Sequence, residues 1–209
     1  MVGVGVLVPF AATSFALAAT PGPSWIYLMS RTTSQGRAAG IIAILGNAAG
    51  ICTHVTAAAL GLSAIFNYSA TAFDILKWIG AGYLIFLSIK TWRGRINFFG
   101  PSDLAKKGLS AIFLEAAFIN ILNPKVALFM LALLPQFVDS SRGSVGLEIL
   151  MLGFIHVTIA TSVLLSVLFA ATRLSKLLSQ SSRFQSIFRT ISGSLLFLIG
   201  IRLALTVRP

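Results

Sequence analysis

The chain has 209 residues, 56% of them hydrophobic and 10% charged, where a soluble domain carries roughly a quarter charged residues. Mean hydropathy is +0.92, so too few polar side chains remain to cover a folded surface in water, and lipid must be the solvent for most of the protein. A formal charge of +11 would point to nucleic acid in a soluble protein, but here the basic residues cluster in short gaps between apolar runs, the pattern set by membrane insertion. A single cysteine, Cys52, excludes an internal disulfide and paired-thiol redox chemistry.

Apolar runs long enough to cross a hydrocarbon core, about 20 residues each, lie at 4–29, 38–66, 73–92, 109–138, 147–172 and 188–207. These predict an all-α integral membrane protein of six transmembrane helices. The first run holds Thr20-Pro21-Gly22-Pro23-Ser24. Two prolines remove two backbone donors and Gly22 permits angles closed to other residues, so the helix must open here and free its carbonyls and amides. A lone proline reads as a tolerated kink; two flanking a glycine read as a functional break. Ala16-Leu17-Ala18 resembles a leader cleavage site, but no basic segment precedes it, and the run is read as a retained span.

The second run carries Gly40, Gly46, Gly50 and Gly61, and its Gly46-to-Gly50 interval has the small-xxx-small spacing that lets helices approach closely. Asn47 is placed to hydrogen-bond across that contact. Asn67-Tyr68-Ser69 fits a glycosylation sequon in a very short loop, and is read as a chance match. The third run has Trp78 and Trp92 at its ends, where amphipathic rings favour the headgroup level. A basic linker, 93–108, follows.

The fourth run is also longer than one span needs and contains Asn120 and Asn123-Pro124-Lys125, a second expected break. An ammonium near the membrane centre costs at least about 2.5 to 3.5 kcal/mol unless it is hydrated or paired. Lys125 therefore needs a partner: it caps the opened carbonyls or snorkels to an interface, or it supplies a cation for a substrate carboxylate or a proton-linked switch, and these roles are compatible. Glu115 lies ten residues earlier, roughly 15 Å along a straight helix, too far to pair with Lys125 within it, and is read as interfacial. Asp74, Asp139 and Glu148 fall at span ends, which leaves no evident buried carboxylate to carry protons. His54 and His156 sit in the second and fifth runs. A lone helical histidine is usually a packing residue, but both titrate in the neutral range when unperturbed, and with Glu115 they are the proton-linked candidates.

Counting Lys and Arg by gap gives an orientation. With the N-terminus outside, eleven cations face inward: Arg31 and Arg37; Lys90, Arg93, Arg95, Lys106 and Lys107; Arg173, Lys176, Arg183 and Arg189. Lys77, Arg142, Arg202 and Arg208 face outward, so both termini are expected outside. The two halves, about 1–92 and 109–209, also match weakly in order: Lys77-Trp78-Ile79-Gly80 with Arg189-Thr190-Ile191-Ser192, and Pro21 with Pro124. Three spans per copy make the second enter the membrane from the opposite side, so the halves are expected to be inverted repeats in one transmembrane domain, with broken helices 1 and 4. Transporters built this way place substrate near the midplane where paired broken helices meet. No metal-ligand cluster, nucleophile–base pair or phosphate loop occurs in the sequence, so neither an enzyme nor a cofactor is expected.

These residues together resemble the LysE superfamily of amino-acid exporters, and within it the homoserine/threonine exporter (RhtB) branch. The resemblance rests on Ala19-Thr20-Pro21-Gly22-Pro23, Gln35-Gly36-Arg37-Ala38-Ala39-Gly40, Gly46 and Gly50, Leu76 to Leu84, Asn120 to Lys125, and Leu133-Leu134-Pro135-Gln136-Phe137-Val138. It implies export of small amino acids or derivatives across the bacterial cytoplasmic membrane, driven by proton antiport. Substrate would sit among Thr20, Pro21, Gly22, Pro23, Ser24, Asn47, Asn120, Asn123, Pro124 and Lys125. Ser24 stands where the family often has Asn or Asp, and Ala116 where it often has Gly. A metal-ion exporter would be expected to show His-rich or acidic loops, and a non-transporting accessory subunit would use the small-residue faces against a partner. The sequence leaves the amino acid, the coupling and the oligomeric state, a homo-oligomer included, undetermined.

Overall fold

The computed structural model describes residues 4–68, 70–93, 105–139, 145–180 and 182–205. The described residues form helices without strands: α1 (Val4–Ala19), α2 (Pro23–Gln35), α3 (Arg37–Tyr68), α4 (Ala70–Trp92), α5 (Leu109–Ile121), α6 (Pro124–Leu128), α7 (Val145–Gln180) and α8 (Ser182–Leu205). A π-helical turn over Phe129–Leu133 and a 3₁₀ turn over Leu134–Phe137 extend α6. Residues 94–104, along with Ser69, Arg142 and Arg208, lie outside the described residues.

The two expected breaks are present. The α1–α2 pair bends by 53° and the stretch from α5 through Phe137 by 49°. Among the described residues, α3 and α7 are each long and apolar enough to cross a membrane, and the count is four if each bent pair is one crossing. Each half therefore runs in the same order: a broken helix pair, a long helix, then a helix of 23 or 24 residues.

Packing follows the small residues. α3 lies against α5 and α7, and α4 against α8. A methyl added at Gly50 would stand 2.7 Å from the Asn120 Cβ and 2.8 Å from the Ala117 carbonyl oxygen, so α3 and α5 touch nearly backbone to backbone, as the Gly46-to-Gly50 spacing predicts. Two buried apolar clusters result. One gathers Leu17, Ile51, Val126, Phe129 and Leu152; the other gathers Trp25, Leu28, Ile44, Ile112 and Leu164. Trp78, Leu60, Leu122 and Phe154 face outward with more than half of their surface exposed, as side chains in contact with lipid would.

Several expected gaps are not gaps. α2 runs to Gln35, and only Gly36, at φ 82°, separates it from α3. That left-handed angle is where glycine is required. Arg31 is thus a helical residue with 3% of its surface exposed, not a loop cation. Lys77 is likewise buried in α4, paired with Asp74 at 3.1 Å. Arg173 and Lys176 fall within α7, and Arg183 and Arg189 within α8, because these helices continue past the apolar windows read at 147–172 and 188–207. Glu148, placed at a span end, is buried and accepts the Asp139 backbone N–H at 3.0 Å.

Candidate functional site

The first break begins where Pro21 and Pro23 withdraw their donors. The Thr20 N–H reaches the Ala16 and Leu17 carbonyls at 3.1 and 3.2 Å, and the Thr20 hydroxyl also donates to Ala16 at 2.8 Å. Gly22 then caps α2 in extended backbone, φ −161°, an angle any residue adopts. The break therefore does not use the conformational freedom expected of this glycine. What replaces the lost hydrogen bonds comes from elsewhere. The Trp25 indole donates to the Ala18 carbonyl at 2.9 Å. The Lys125 ammonium donates to the Leu17 and Thr20 carbonyls at 3.1 and 2.7 Å.

The second break is held more locally. The Asn123 side-chain oxygen accepts the Lys125 backbone N–H at 3.1 Å, with Pro124 opening α6, a standard N-cap arrangement. The Asn120 carbonyl takes the Asn123 N–H at 2.9 Å and the His54 Nε2–H at 3.2 Å. Each break is thus capped in part by a residue of the opposite half.

Between the breaks lies a small cavity of about 40 Å³. Gly22, Ser24, Asn47, Asn120, Asn123, Lys125 and His156 supply its polar wall, and Leu17, Trp25, Ile51, Val126, Ala160 and Leu164 its apolar one. The Asn120 amide donates to the Asn47 oxygen at 2.7 Å across the α3–α5 contact. Asn120 Oδ1 and Ser24 Oγ are buried without a hydrogen-bond partner. Buried polar atoms are nearly always paired, so two unpaired oxygens on one small cavity mark a place where a bound donor would be held. Lys125 keeps its third proton beyond the two carbonyls it caps, and its Nζ would lie 3.5 Å from a methyl added at Gly22.

Six of the ten sequence-predicted binding residues line this cavity, Gly22, Ser24, Asn47, Asn120, Asn123 and Lys125, joined by His156 from the proton-linked set; Thr20, Pro21, Pro23 and Pro124 belong to the breaks and are not among its lining. His156 accepts or donates a 2.7 Å bond with Ser14 through Nδ1, and its ring packs 4.5 Å from that of Phe129. His54 and Glu115 lie outside the lining. Glu115 instead accepts from Arg31 at 3.3 Å, from the Tyr27 hydroxyl at 2.8 Å and from Lys107, a set of partners that linear spacing from Lys125 could not reveal. Sequence reasoning also missed Trp25, Ser14 and Arg31. A heptad count from Ser24 to Arg31 on α2 was the available signal for the last.

The sequence profile of the LysE type translocators matches residues 15–206. This chain belongs to the LysE family. Among similar LysE-like proteins, a homoserine/homoserine lactone efflux protein of Salmonella typhimurium is 31% identical over 194 residues, covering 92% of each chain. An uncharacterized membrane protein of Vibrio cholerae is 31% identical over 192 residues, covering 92% of this chain and 93% of its own. Another, from Bacillus subtilis, is 29% identical over 196 residues, covering 89% and 92%. No solved structure matches this LysE protein. It is a membrane protein of the translocator class, and the family points to efflux of a small molecule and not to an enzyme.

Proposed function

We propose that this protein exports small neutral amino acids or their derivatives across the bacterial cytoplasmic membrane in exchange for protons, with substrate held in the cavity between the two breaks. The observation that carries this reading is the cavity wall: one ammonium with a proton to spare, at Lys125, on the same cavity as two unpaired acceptor oxygens, at Ser24 and Asn120. That is the complement of a zwitterion, with the carboxylate on Lys125 and the ammonium on the two oxygens. Asn123, whose oxygen already caps α6, serves the site by positioning Lys125. A cationic wall also disfavours a divalent metal as cargo, by plain like-charge repulsion. The relative named for homoserine and homoserine lactone makes these two compounds and threonine the first substrates to try.

In this reading the chain is one transporter domain of six spans, its halves related as inverted repeats, with both termini outside. The matching order of elements and the 53° and 49° bends support the repeat. His156, which lines the cavity, is the proton-linked group; His54 and Glu115 lie outside the lining. The test is reconstitution of the purified protein in liposomes with a panel of radiolabelled amino acids, with and without a pH gradient. Accumulation that follows the gradient is the expected result. Absence of flux by the protein alone would overturn the reading and favour an accessory role.

A further inference from the structure

A buried cation, Arg31, lies outside the cavity. Arg31 stands seven residues after Ser24 on α2, two turns and roughly 10 Å along the same face, with Leu28 one turn from each and buried in the same apolar cluster as Ile112. Its guanidinium is 3% exposed. Nη1 donates to Gln35 and to the Ala105 carbonyl at 3.0 and 3.1 Å. Nη2 makes a 3.3 Å contact with Glu115, long for a charge-assisted bond, which is usually about 2.7–2.9 Å. Nε has no partner. Nε and Nη2 form the side-on edge that receives a carboxylate through two parallel hydrogen bonds, and here that edge holds one stretched bond and one buried orphan donor.

Glu115 is not committed to Arg31. It is half-buried, and Tyr27 and Lys107 also donate to it, so it stays paired if Arg31 turns away. We propose that Arg31 is a second binding site for the substrate's carboxylate, a waypoint at one end of the path along α2, where the substrate's two oxygens take the Nε–Nη2 edge in place of Glu115. This rests on the reading of the cavity as an amino-acid site. The cavity and Arg31 then form two stations on one helix face, and the apolar cluster around Leu28 between them must open for substrate to pass.

Homoserine and homoserine lactone share an amine and a carbon chain and differ in the free carboxylate, so counterflow of each in liposomes is the discriminating measurement. Arg31→Gln is expected to raise the half-saturating concentration for homoserine about tenfold and to move that for the lactone about twofold or less. Glu115→Gln, which removes the competing carboxylate, is expected to lower the value for homoserine. Equal losses for both compounds in a folded Arg31→Gln protein would make Arg31 a structural latch and overturn the waypoint, as would a raised value in Glu115→Gln. If Arg31→Gln does not survive gel filtration, Arg31→Lys carries the same test, since it keeps the charge and loses the two-donor edge. A wild-type protein that moves no amino acid of the panel overturns the cavity reading and the waypoint together; where another amino acid is the one moved, it and its methyl ester take the places of homoserine and the lactone.

Discussion

The two helix breaks bend the chain by similar angles, 53° and 49°, but they satisfy their freed backbone by different chemistry. At Asn123 the cap on the free N–H is internal: a side chain two residues away accepts the first free N–H of α6, and the other half adds a 3.2 Å bond from His54 to the Asn120 carbonyl. At Thr20 the free carbonyls are met by Lys125, 105 residues further along the chain. A break capped mainly by its own residues largely keeps its shape wherever its neighbours go. A break capped from the opposite half keeps its shape only while the two halves stay together, and a substrate that draws Lys125 toward its carboxylate acts directly on that link. The first break is therefore the one through which binding can be felt.

Lys125→Met tests this asymmetry with the largest expected effect. The change leaves the Thr20 carbonyl without its 2.7 Å donor, a loss of about 1–3 kcal/mol for a buried acceptor, partly offset because a buried charge is removed as well. Stability in detergent should fall modestly, whereas transport in liposomes should disappear, since the cavity loses its cation. Transport that persists would sink the assignment of Lys125 to the substrate carboxylate. Gly50→Ala should come next. Its methyl would meet Asn120 Cβ at 2.7 Å and the Ala117 carbonyl at 2.8 Å, so α3 must separate from α5, at about 1–3 kcal/mol for overpacking. A lowered melting temperature with a weakened affinity is expected, because the same shift drags the Asn47–Asn120 hydrogen bond. Asn123→Ala removes only an N-cap, worth about 1 kcal/mol. Its melting temperature should fall slightly, and a loss of transport as complete as that of Lys125→Met would mean that the second break is no less dependent than the first.

How far the sequence carried these conclusions differs by residue. Both breaks could be read from Pro21-Gly22-Pro23 and Asn123-Pro124, because proline's missing donor acts locally. Lys125 could be recognised as needing a partner from the cost of its charge in an apolar run, although which carbonyls it meets depends on how α1 lies against α6. Arg31 and Lys77 were misplaced because a tally by gaps assumes that cations mark loops. Both are buried in helices where an acid from another turn or another helix meets them. Glu115 shows the same limit: its partners come from α2 and from the segment before α5, and no count along α5 contains them. Gly22 failed for the opposite reason, since a residue permitted unusual angles need not adopt them.

That last residue gives the smallest expected effect and the finest test of the comparison. Gly22 is extended, with φ −161°, and a methyl added there would meet only Lys125, at 3.5 Å from Nζ and 3.6 Å from Cε, which is ordinary contact. Gly22→Ala should therefore fold, with a cost of about 0.5 kcal/mol for a poorer N-cap. Its effect should appear in binding instead, as a few-fold rise in the half-saturating concentration, because the methyl stands beside the proton of Lys125 that the substrate needs. A variant that folds, binds substrate normally and yet does not transport would carry a different meaning. It would show that Gly22 passes through a left-handed angle in another conformation of the transporter, and that the first break moves by its own glycine as well as by release of Lys125.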